Sequence, residues 1–482
     1  MAKLHVTDFF IYRWRYLIGY GLTIIVLAGL LLFAGLYVPG GLTHGEMSSV
    51  ALSAATKATH LVDGTIVNLP YYLLQHLSLL LLGVTMTSIK LPSLFLALLA
   101  AIGMFLLLRQ WFSRNVAALA AAITITSGQY LIVAQSGTPS IVYIFFSVWL
   151  LLTATMITRA KTHLFLWKAA FFILAALSLY TPLSIYALIA VGVIGVIHPH
   201  TRYILKHLSK LKLLAAILLS LIIISPLILE LVAHPRIGLT LLGIPESVPN
   251  IWSNALQLFS QYFGFMQPSS SVFMTPIFSL GAMLLIALGF VDMFRSKYTA
   301  RSYTIMAWLL FLLPVILINP QYTTVMFVPL LLLLAMGLQA LIFYWYHLFP
   351  RNPYARIAGL IPLVVLVGGL VLSGVERYTY GYHYSPDTAV YFSHDLRILQ
   401  SSLPSRHEPA EIIVTAAERP FYDVVARYHK GLTIAEALPA KTTEPTYVTH
   451  DAHKADQPIP QQILTDAAKA DADRFYIYKN GA

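Results

Sequence analysis

The chain has 482 residues, 58% of them hydrophobic and only 11% charged, with a mean hydropathy of +0.74 and a formal net charge of +11. That composition excludes a soluble globular protein. Cysteine is absent, which excludes disulfides and thiolate metal sites.

Lys3, Arg13 and Arg15 precede an apolar run over 16–38. It is too long for the core of a cleavable signal and lacks a small-residue cleavage site, so it reads as an uncleaved anchor with a cytoplasmic N-terminus. At about 20 apolar residues per crossing, eleven spans are predicted, at 16–38, 90–108, 116–134, 140–158, 164–180, 182–198, 212–232, 276–294, 302–318, 321–345 and 357–375. Positive charge tests the count. Arg109, Arg114, Arg159, Lys161, Lys168, Arg202, Lys206, Lys210, Lys212, Arg295, Lys297, Arg301, Arg351 and Arg356 all fall in or beside even-numbered connections. Lys57, Lys90 and Arg236 are the main cations of the odd-numbered ones. The positive-inside rule then places the even connections in the cytoplasm and the C-terminal segment outside the plasma membrane.

Two outer connections, the first and the fourth, are long. The first, 39–89, carries amphipathic stretches at Glu46–His60 and Asn68–Gly83. The fourth, 233–275, is punctuated by Pro235, Pro245, Pro249 and Pro268 and carries Trp252, Phe259, Tyr262 and Phe265. Aromatic, weakly charged segments of this kind suit helices lying in the membrane interface, and loops longer than ~15 residues are usually functional.

The charge balance then changes. Residues 1–380 hold 21 Lys/Arg against seven acids, net +14, and residues 381–482 hold 10 against 13, net −3. This divides the chain into a membrane part, 1–380, and a soluble domain, 381–482. The high pI reflects short loops between spans, not a nucleic-acid surface. In the tail, helices are predicted at Asp387–Leu403 and Arg419–Tyr428 and around Gln461–Lys469. Strands are predicted at Glu411–Ala416, Thr446–Thr449 and Arg474–Tyr478, giving a small α/β domain.

The seven acids of the membrane part are Asp8, Glu46, Asp63, Glu230, Glu246, Asp292 and Glu376. Charge near a bilayer core is costly, so each is a functional candidate by default. Glu46, just past the first span in Gly41-Leu-Thr-His-Gly-Glu46, is the leading one. His44 and Asp63 share its loop. As an acid near a helix start, Glu46 would also complement the helix dipole.

Several segments carry a family resemblance. They are Leu69-Pro-Tyr-Tyr72, Leu81-Leu-Gly83, Lys90-Leu-Pro-Ser93, Leu106-Leu-Leu-Arg-Gln-Trp-Phe-Ser-Arg114 and Ala117–Ser127. Ser136-Gly-Thr-Pro-Ser140, Asn319-Pro-Gln-Tyr322 and the Leu-rich Pro329–Leu341 follow. In order and spacing these resemble the membrane module of GT-C glycosyltransferases, in the protein O-mannosyltransferase and aminoarabinose-transferase branch. The resemblance covers about residues 16–345 and is best over 69–150.

What the resemblance implies is a GT-C-like polytopic α-helical fold with interfacial helices in the first and fourth outer loops. The implied activity is inverting transfer of a hexosyl or pentosyl group. The donor would be a polyprenyl-phosphate sugar, and the acceptor a hydroxyl on protein, lipid or glycan at the outer membrane face. A glycosyl phosphate has a good leaving group, so one general base and cations for the phosphate suffice. Glu46 is then the expected base, with His44 and Asp63 as partners or alternatives. Lys90 stands where the family has an arginine and is expected, with Arg236, at the donor phosphate. Glu230, Asn319 and Tyr322 are candidates for contacts to sugar, acceptor or phosphate. Two departures stand out: the family's acidic pair is reduced to Gly45-Glu46, and its second-loop aspartate is Ser140. In the sequence no His, Asp and Glu cluster at metal-ligand spacing, so a divalent cation is expected only as a bridge at the donor phosphate. A transporter is disfavoured by the lack of charge in the spans and of any internal repeat. A non-catalytic envelope-assembly scaffold is the other alternative.

Overall fold

A computed structural model describes residues 10–36, 41–56, 66–160, 162–206, 210–265, 270, 273–295, 299–348, 353–382, 384–403, 409–429, 431–438, 444–466 and 473–478. Asp63 lies outside the described residues.

The protein is a multi-pass helical bundle with a small sheet domain at one end. The helices run α1 (Phe10–Leu36), α2 (His44–Ala55), α3 (Leu69–Leu82), α4 (Met86–Trp111), α5 (Arg114–Thr126), α6 (Gly128–Gln135) and α7 (Ser140–Arg159). Then come α8 (Leu164–Ser178), α9 (Ser184–Ile197), α10 (Pro199–Lys206), α11 (Lys210–Ala233), α12 (Arg236–Leu242) and α13 (Ile251–Phe263). The bundle closes with α14 (Leu280–Arg295), α15 (Ala300–Ile318), α16 (Phe327–Leu348) and α17 (Pro353–Glu376).

Each expected span falls on a helix or, for 116–134, on the pair α5 and α6, which meet at 59°. Among the described residues, six helices are long and apolar enough to cross a bilayer, seven if the bent pair counts as one. Close packing in the bundle depends on small residues. A Cβ on Gly289 of α14 would lie 1.9 Å from the Leu333 carbonyl of α16, and one on Gly337 would lie 1.9 Å from the Leu285 carbonyl. The two backbones therefore touch directly, the usual means of helix association where lipid removes the hydrophobic drive.

α3 bears out the expectation of an interfacial helix, with its faces reversed from a soluble one. Tyr71, Tyr72, Gln75 and Ser78 point into the protein, while Leu73, Leu77, Leu80 and Leu81 are exposed. Leucines facing outward and polar groups facing inward suit a helix lying in the lipid boundary. α13 likewise exposes Trp252, Phe259 and Phe263. It is pinned to the bundle by Asn254 Nδ2, which donates to the carbonyls of Leu317 (3.0 Å) and Ile318 (2.7 Å). The two long loops meet at a small apolar cluster, in which Ile66 and Leu69 pack with Ile237 and Leu241 of α12.

The C-terminal sheet has the order β2-β1-β3-β5-β4. β1 (Ala410–Ile413) lies parallel to β2 (Leu432–Ala435) and β3 (Thr446–Thr449), while β5 (Asp473–Tyr478) is antiparallel to β3 and β4 (Gln462–Thr465). α20 (Arg419–Tyr428) follows β1. Two expectations are corrected. The helix expected over Asp387–Leu403 is broken into α18 (Pro386–Ala389), a 3₁₀ turn at Val390–Phe392 and α19 (Leu396–Ser402). Asp395 caps a new helix there by accepting the Arg397 and Ile398 N–H groups, and His394 is drawn into an isolated β-bridge with Leu42. The helix expected around Gln461–Lys469 starts instead as the edge strand β4, because pairing with β5 overrides its weak local preference. β2 was not anticipated by the pattern of the tail.

The domain keeps a small apolar cluster of its own, Ile413, Val448, Tyr476 and Tyr478, but its larger core is shared with the bundle. Leu42, Met47, Val50, Leu79, Val84, Met86 and Ile89 form one apolar cluster with Leu396, Ile412, Phe421 and Val425. Gln400 Nε2 also donates to the Val84 carbonyl at 2.8 Å. The sheet domain is thus seated on α2, α3 and the start of α4.

Candidate functional site

Thr43 starts α2 with a capping box. Its hydroxyl accepts the Glu46 N–H at 3.2 Å, and Glu46 Oε2 accepts the Thr43 N–H at 2.9 Å. The spacing Thr-x-x-Glu is a sequence signature of this local structure. It buries Glu46 and aims its second oxygen across the helix toward α4. There Oε1 accepts the Gly137 N–H at 2.7 Å and lies 3.3 Å from Lys90 Nζ, in the first turns of α4. Both side chains of this ion pair are 1% exposed. Lys90 is further held by Gln135 Oε1 at 2.8 Å.

Gly137 is required where it stands. A Cβ there would come within 2.7 Å of Ile89 Cγ2 and 3.4 Å of Glu46 Cγ, so a larger residue would push the loop and its N–H away from the carboxylate. Gln75 fixes the same loop from α3, donating to the carbonyls of Gly137 (2.9 Å) and Ile89 (3.1 Å) while accepting from Ser49 and Ser53 of α2. Ser93, hydrogen-bonded to Tyr71 at 2.8 Å, donates to the Thr138 carbonyl at 3.3 Å. A polar knot of α2, α3, α4 and the 136–140 turn therefore surrounds one buried acid and one buried ammonium. Buried polar networks of this kind are stable only when every member is satisfied, and the partners of Glu46 meet that condition.

The C-terminal domain closes over this knot. Asp395 and Arg397, at the start of α19, lie close enough to act electrostatically on Lys90. The Leu42 N–H donates to the His394 carbonyl at 2.6 Å. This contact brings the exposed His44 beside His394, with ring centroids 5.1 Å apart at 73°. His44 Nε2 lies 3.3 Å from Asp451 Oδ2, in the turn after β3. The side-chain contacts of His44 thus run to Asp451 and His394. Glu418, fully buried, stands 3.3 Å from His394 Nδ1 while its other oxygen accepts from Thr415 and Thr449.

Other expected residues lie elsewhere. Glu230 is buried near the end of α11 and pairs with His234 one turn on, at 3.0 Å. Arg236, exposed, opens α12. Asn319 caps α15, and Tyr322 packs edge-on to Tyr143 of α7 at 6.2 Å. A cavity of about 620 Å³ sits at the opposite end of the bundle, lined by Trp111, Thr155, Arg159 and Arg301. It is roughly 30 Å along α4 from Lys90. The sequence reading missed Gln75, Gln135 and Gly137. Lone amides in apolar helices are the signal that would have marked the first two, since such groups need partners.

Residues 69–229 match the sequence model of the dolichyl-phosphate-mannose-protein mannosyltransferase family. No curated protein matches the chain by sequence. Solved structures do match it in shape. One is ArnT of Cupriavidus metallidurans bound to undecaprenyl phosphate, at a TM-score of 0.56 and 11% identity, covering 95% of this chain and 98% of that one. Its apo state aligns at 0.50 and 12% identity, covering 96% and 98%. The Archaeoglobus fulgidus oligosaccharyltransferase tethered to an acceptor peptide aligns at 0.50 and 12% identity, covering 89% of this chain and 65% of that one. The fold is GT-C-like.

Proposed function

We propose that this GT-C-type membrane protein transfers a sugar from a polyprenyl-phosphate carrier to an acceptor hydroxyl at the outer membrane face, beside the sheet domain. Two findings support the reading: the mannosyltransferase family match over 69–229 and the likeness to a structure that holds undecaprenyl phosphate. The observation that carries the mechanism is the buried Glu46–Lys90 pair.

In this reading the pair is the resting state of the site. A donor phosphate draws Lys90 from Glu46, because a dianionic or diester phosphate offers the ammonium several acceptor oxygens. Glu46 is then left as a buried carboxylate without its counter-charge, which strengthens it as a base. It takes the proton of the acceptor hydroxyl while that oxygen displaces the polyprenyl phosphate at the anomeric carbon, inverting its configuration. Lys90 neutralises the leaving phosphate. Gly137 and Thr43 keep the carboxylate aimed through the exchange. Arg236, at the start of α12 in the fourth outer loop, and Tyr322, in the short turn between α15 and α16, would contribute to donor binding, and a divalent cation at the donor phosphate would supply further positive charge there. The protein would sit in the plasma membrane with a cytoplasmic N-terminus, eleven spans and an outer domain from about residue 381.

The test is incubation of purified protein with a panel of polyprenyl-phosphate pentoses and hexoses, following release of the lipid phosphate. Glu46→Gln should lower turnover by about 10²–10⁴-fold with donor binding nearly intact, and Lys90→Gln should weaken donor binding first. Turnover of Glu46→Gln at the wild-type rate, in protein that is folded, would leave the pair a purely structural one.

A further inference from the structure

The His44, His394 and Asp451 side chains come from three distant parts of the chain, yet one ligand atom from each lies within 4.8 Å of the others. The individual distances are informative. Asp451 Oδ2 is 3.3 Å from His44 Nε2 and 3.6 Å from His394 Nε2. A tetrahedral zinc with bonds of ~2.0–2.1 Å holds neighbouring ligand atoms roughly 3.3–3.4 Å apart. The two edges at Asp451 therefore match a face of such a site to within a few tenths of an ångström, and the third, between the two imidazoles and within 4.8 Å, closes by a rotation of the exposed His44 ring.

His394 supplies a second, independent observation. Its side chain is 2% exposed, and its two ring nitrogens each face a carboxylate oxygen, Glu418 Oε1 at 3.3 Å and Asp451 Oδ2 at 3.6 Å, without a well-aligned hydrogen bond. A buried imidazole set between two carboxylates in this way is unusual. Its Nε2 points into the cluster, while its Nδ1 faces Glu418 Oε1 at 3.3 Å, an oxygen that also lacks a hydrogen bond. Carboxylate, imidazole, then metal is the usual second-layer arrangement: the carboxylate takes the far ring proton and turns the near nitrogen's lone pair toward the ion. The remaining Glu418 oxygen is fixed by Thr415 and Thr449, which locks that orientation.

We infer that His44, His394 and Asp451 form a zinc-type divalent-metal site that clamps the sheet domain to the start of α2. Two imidazoles and one carboxylate suit zinc, whereas magnesium and calcium favour all-oxygen sets. The site is separate in ligands from the Glu46–Lys90 pair, although His44 is only two residues before Glu46. Three protein ligands leave a fourth position, and it opens to solvent on the side of His44 and Asp451, whose side chains are 61% and 30% exposed.

The experiment uses the full chain without an affinity tag, in detergent, and reads metal content and not activity. After dialysis against zinc or magnesium chloride, about one zinc per chain is expected, with magnesium not retained. Cobalt added in place of zinc should show the strong visible absorption of a tetrahedral ion. His44→Ala, on an exposed residue whose loss leaves the fold intact, should abolish both signals, and so should Asp451→Asn. Glu418→Gln should weaken zinc binding by about 10–100-fold. In wild-type protein, zinc should slow protease cleavage between the bundle and the sheet domain, and a chelator should restore it. Zinc content unchanged in His44→Ala and Asp451→Asn, or no retained zinc in the wild type, would overturn the site and leave a bare cluster of ion-paired side chains. Because no readout depends on turnover, this failure is distinct from failure of the glycosyl-transfer reading.

Discussion

Removing Lys90 tests the central feature of the site most directly. The ammonium and the Glu46 carboxylate are 3.3 Å apart with both side chains 1% exposed. Coulomb's law at an effective dielectric of ~20 gives about 5 kcal/mol for a pair at that distance. Desolvation offsets much of that in the intact pair, so the informative quantity is the cost of leaving one charge behind, about 3–5 kcal/mol. The carboxylate has an escape: protonating an ordinary glutamate at pH 7 costs about 3.7 kcal/mol, which caps the loss near 4 kcal/mol. Lys90→Met, close in volume, should therefore lower stability by about 3–4 kcal/mol. Glu46→Gln alone, stranding the ammonium, should be similar in size. The double variant Glu46→Gln/Lys90→Met removes both charges and should lose at least about 2 kcal/mol less than the sum of the singles. Equilibrium unfolding in mixed micelles, followed by tryptophan fluorescence, measures all three. Losses that add to within about 0.5 kcal/mol would show that the two groups do not interact, and the proposed exchange of Lys90 between Glu46 and phosphate would fall with them.

Gly137→Ala should reduce transfer while leaving overall stability within about 1–3 kcal/mol of wild type, because it displaces the N–H that aims Glu46; turnover against thermal stability separates the two effects. Gln75→Leu strands Ser49, Ser53 and the Gly137 carbonyl and should cost about 1–3 kcal/mol, seen as an earlier unfolding midpoint. Gly289→Val drives a side chain into the Leu333 carbonyl and should destabilise the α14–α16 crossing by more than about 3 kcal/mol, read as loss of folded protein on size-exclusion in detergent. Protease added to intact spheroplasts should reach the sheet domain; complete protection until lysis would refute an outer C-terminus.

Much of the architecture is legible in the sequence because its signals are local. Apolar run lengths mark the spans, and the strands at Thr446–Thr449 and the helix at Arg419–Tyr428 stand where the pattern puts them. Glu46 could be singled out because acids are so scarce before residue 381, and Thr43-x-x-Glu46 foretells a helix start. The rest of the site is non-local. Nothing in the sequence near Glu46 shows that Gly137 donates to it from 91 residues away, or that Lys90 reaches Gln135. Metal-ligand spacing cannot be read from His44, His394 and Asp451, because only the Leu42–His394 bridge and the turn after β3 bring them together. Asp387–Leu403 has helical composition, and the break comes from the Asp395 cap together with the tertiary contact of His394, which the local pattern does not show.

α17 has a role that its ordinary sequence conceals. Unlike α16, which is enclosed by protein, most of the span Ala358–Tyr382 is left uncovered by the rest of the chain. At its end, however, Tyr378 and Tyr382 are buried, and the Tyr378 hydroxyl donates to the Ala34 carbonyl of α1 at 3.0 Å. The span's 25 residues make roughly 37 Å of helix, against ~30 Å of hydrocarbon. The surplus must be taken up by tilt or by a locally thickened bilayer. This strut joins directly to the segment that leads to His394, so whatever tilt it takes up ends at the Tyr378 contact with α1, ahead of a domain that the shared core with α2, α3 and α4 already holds in place.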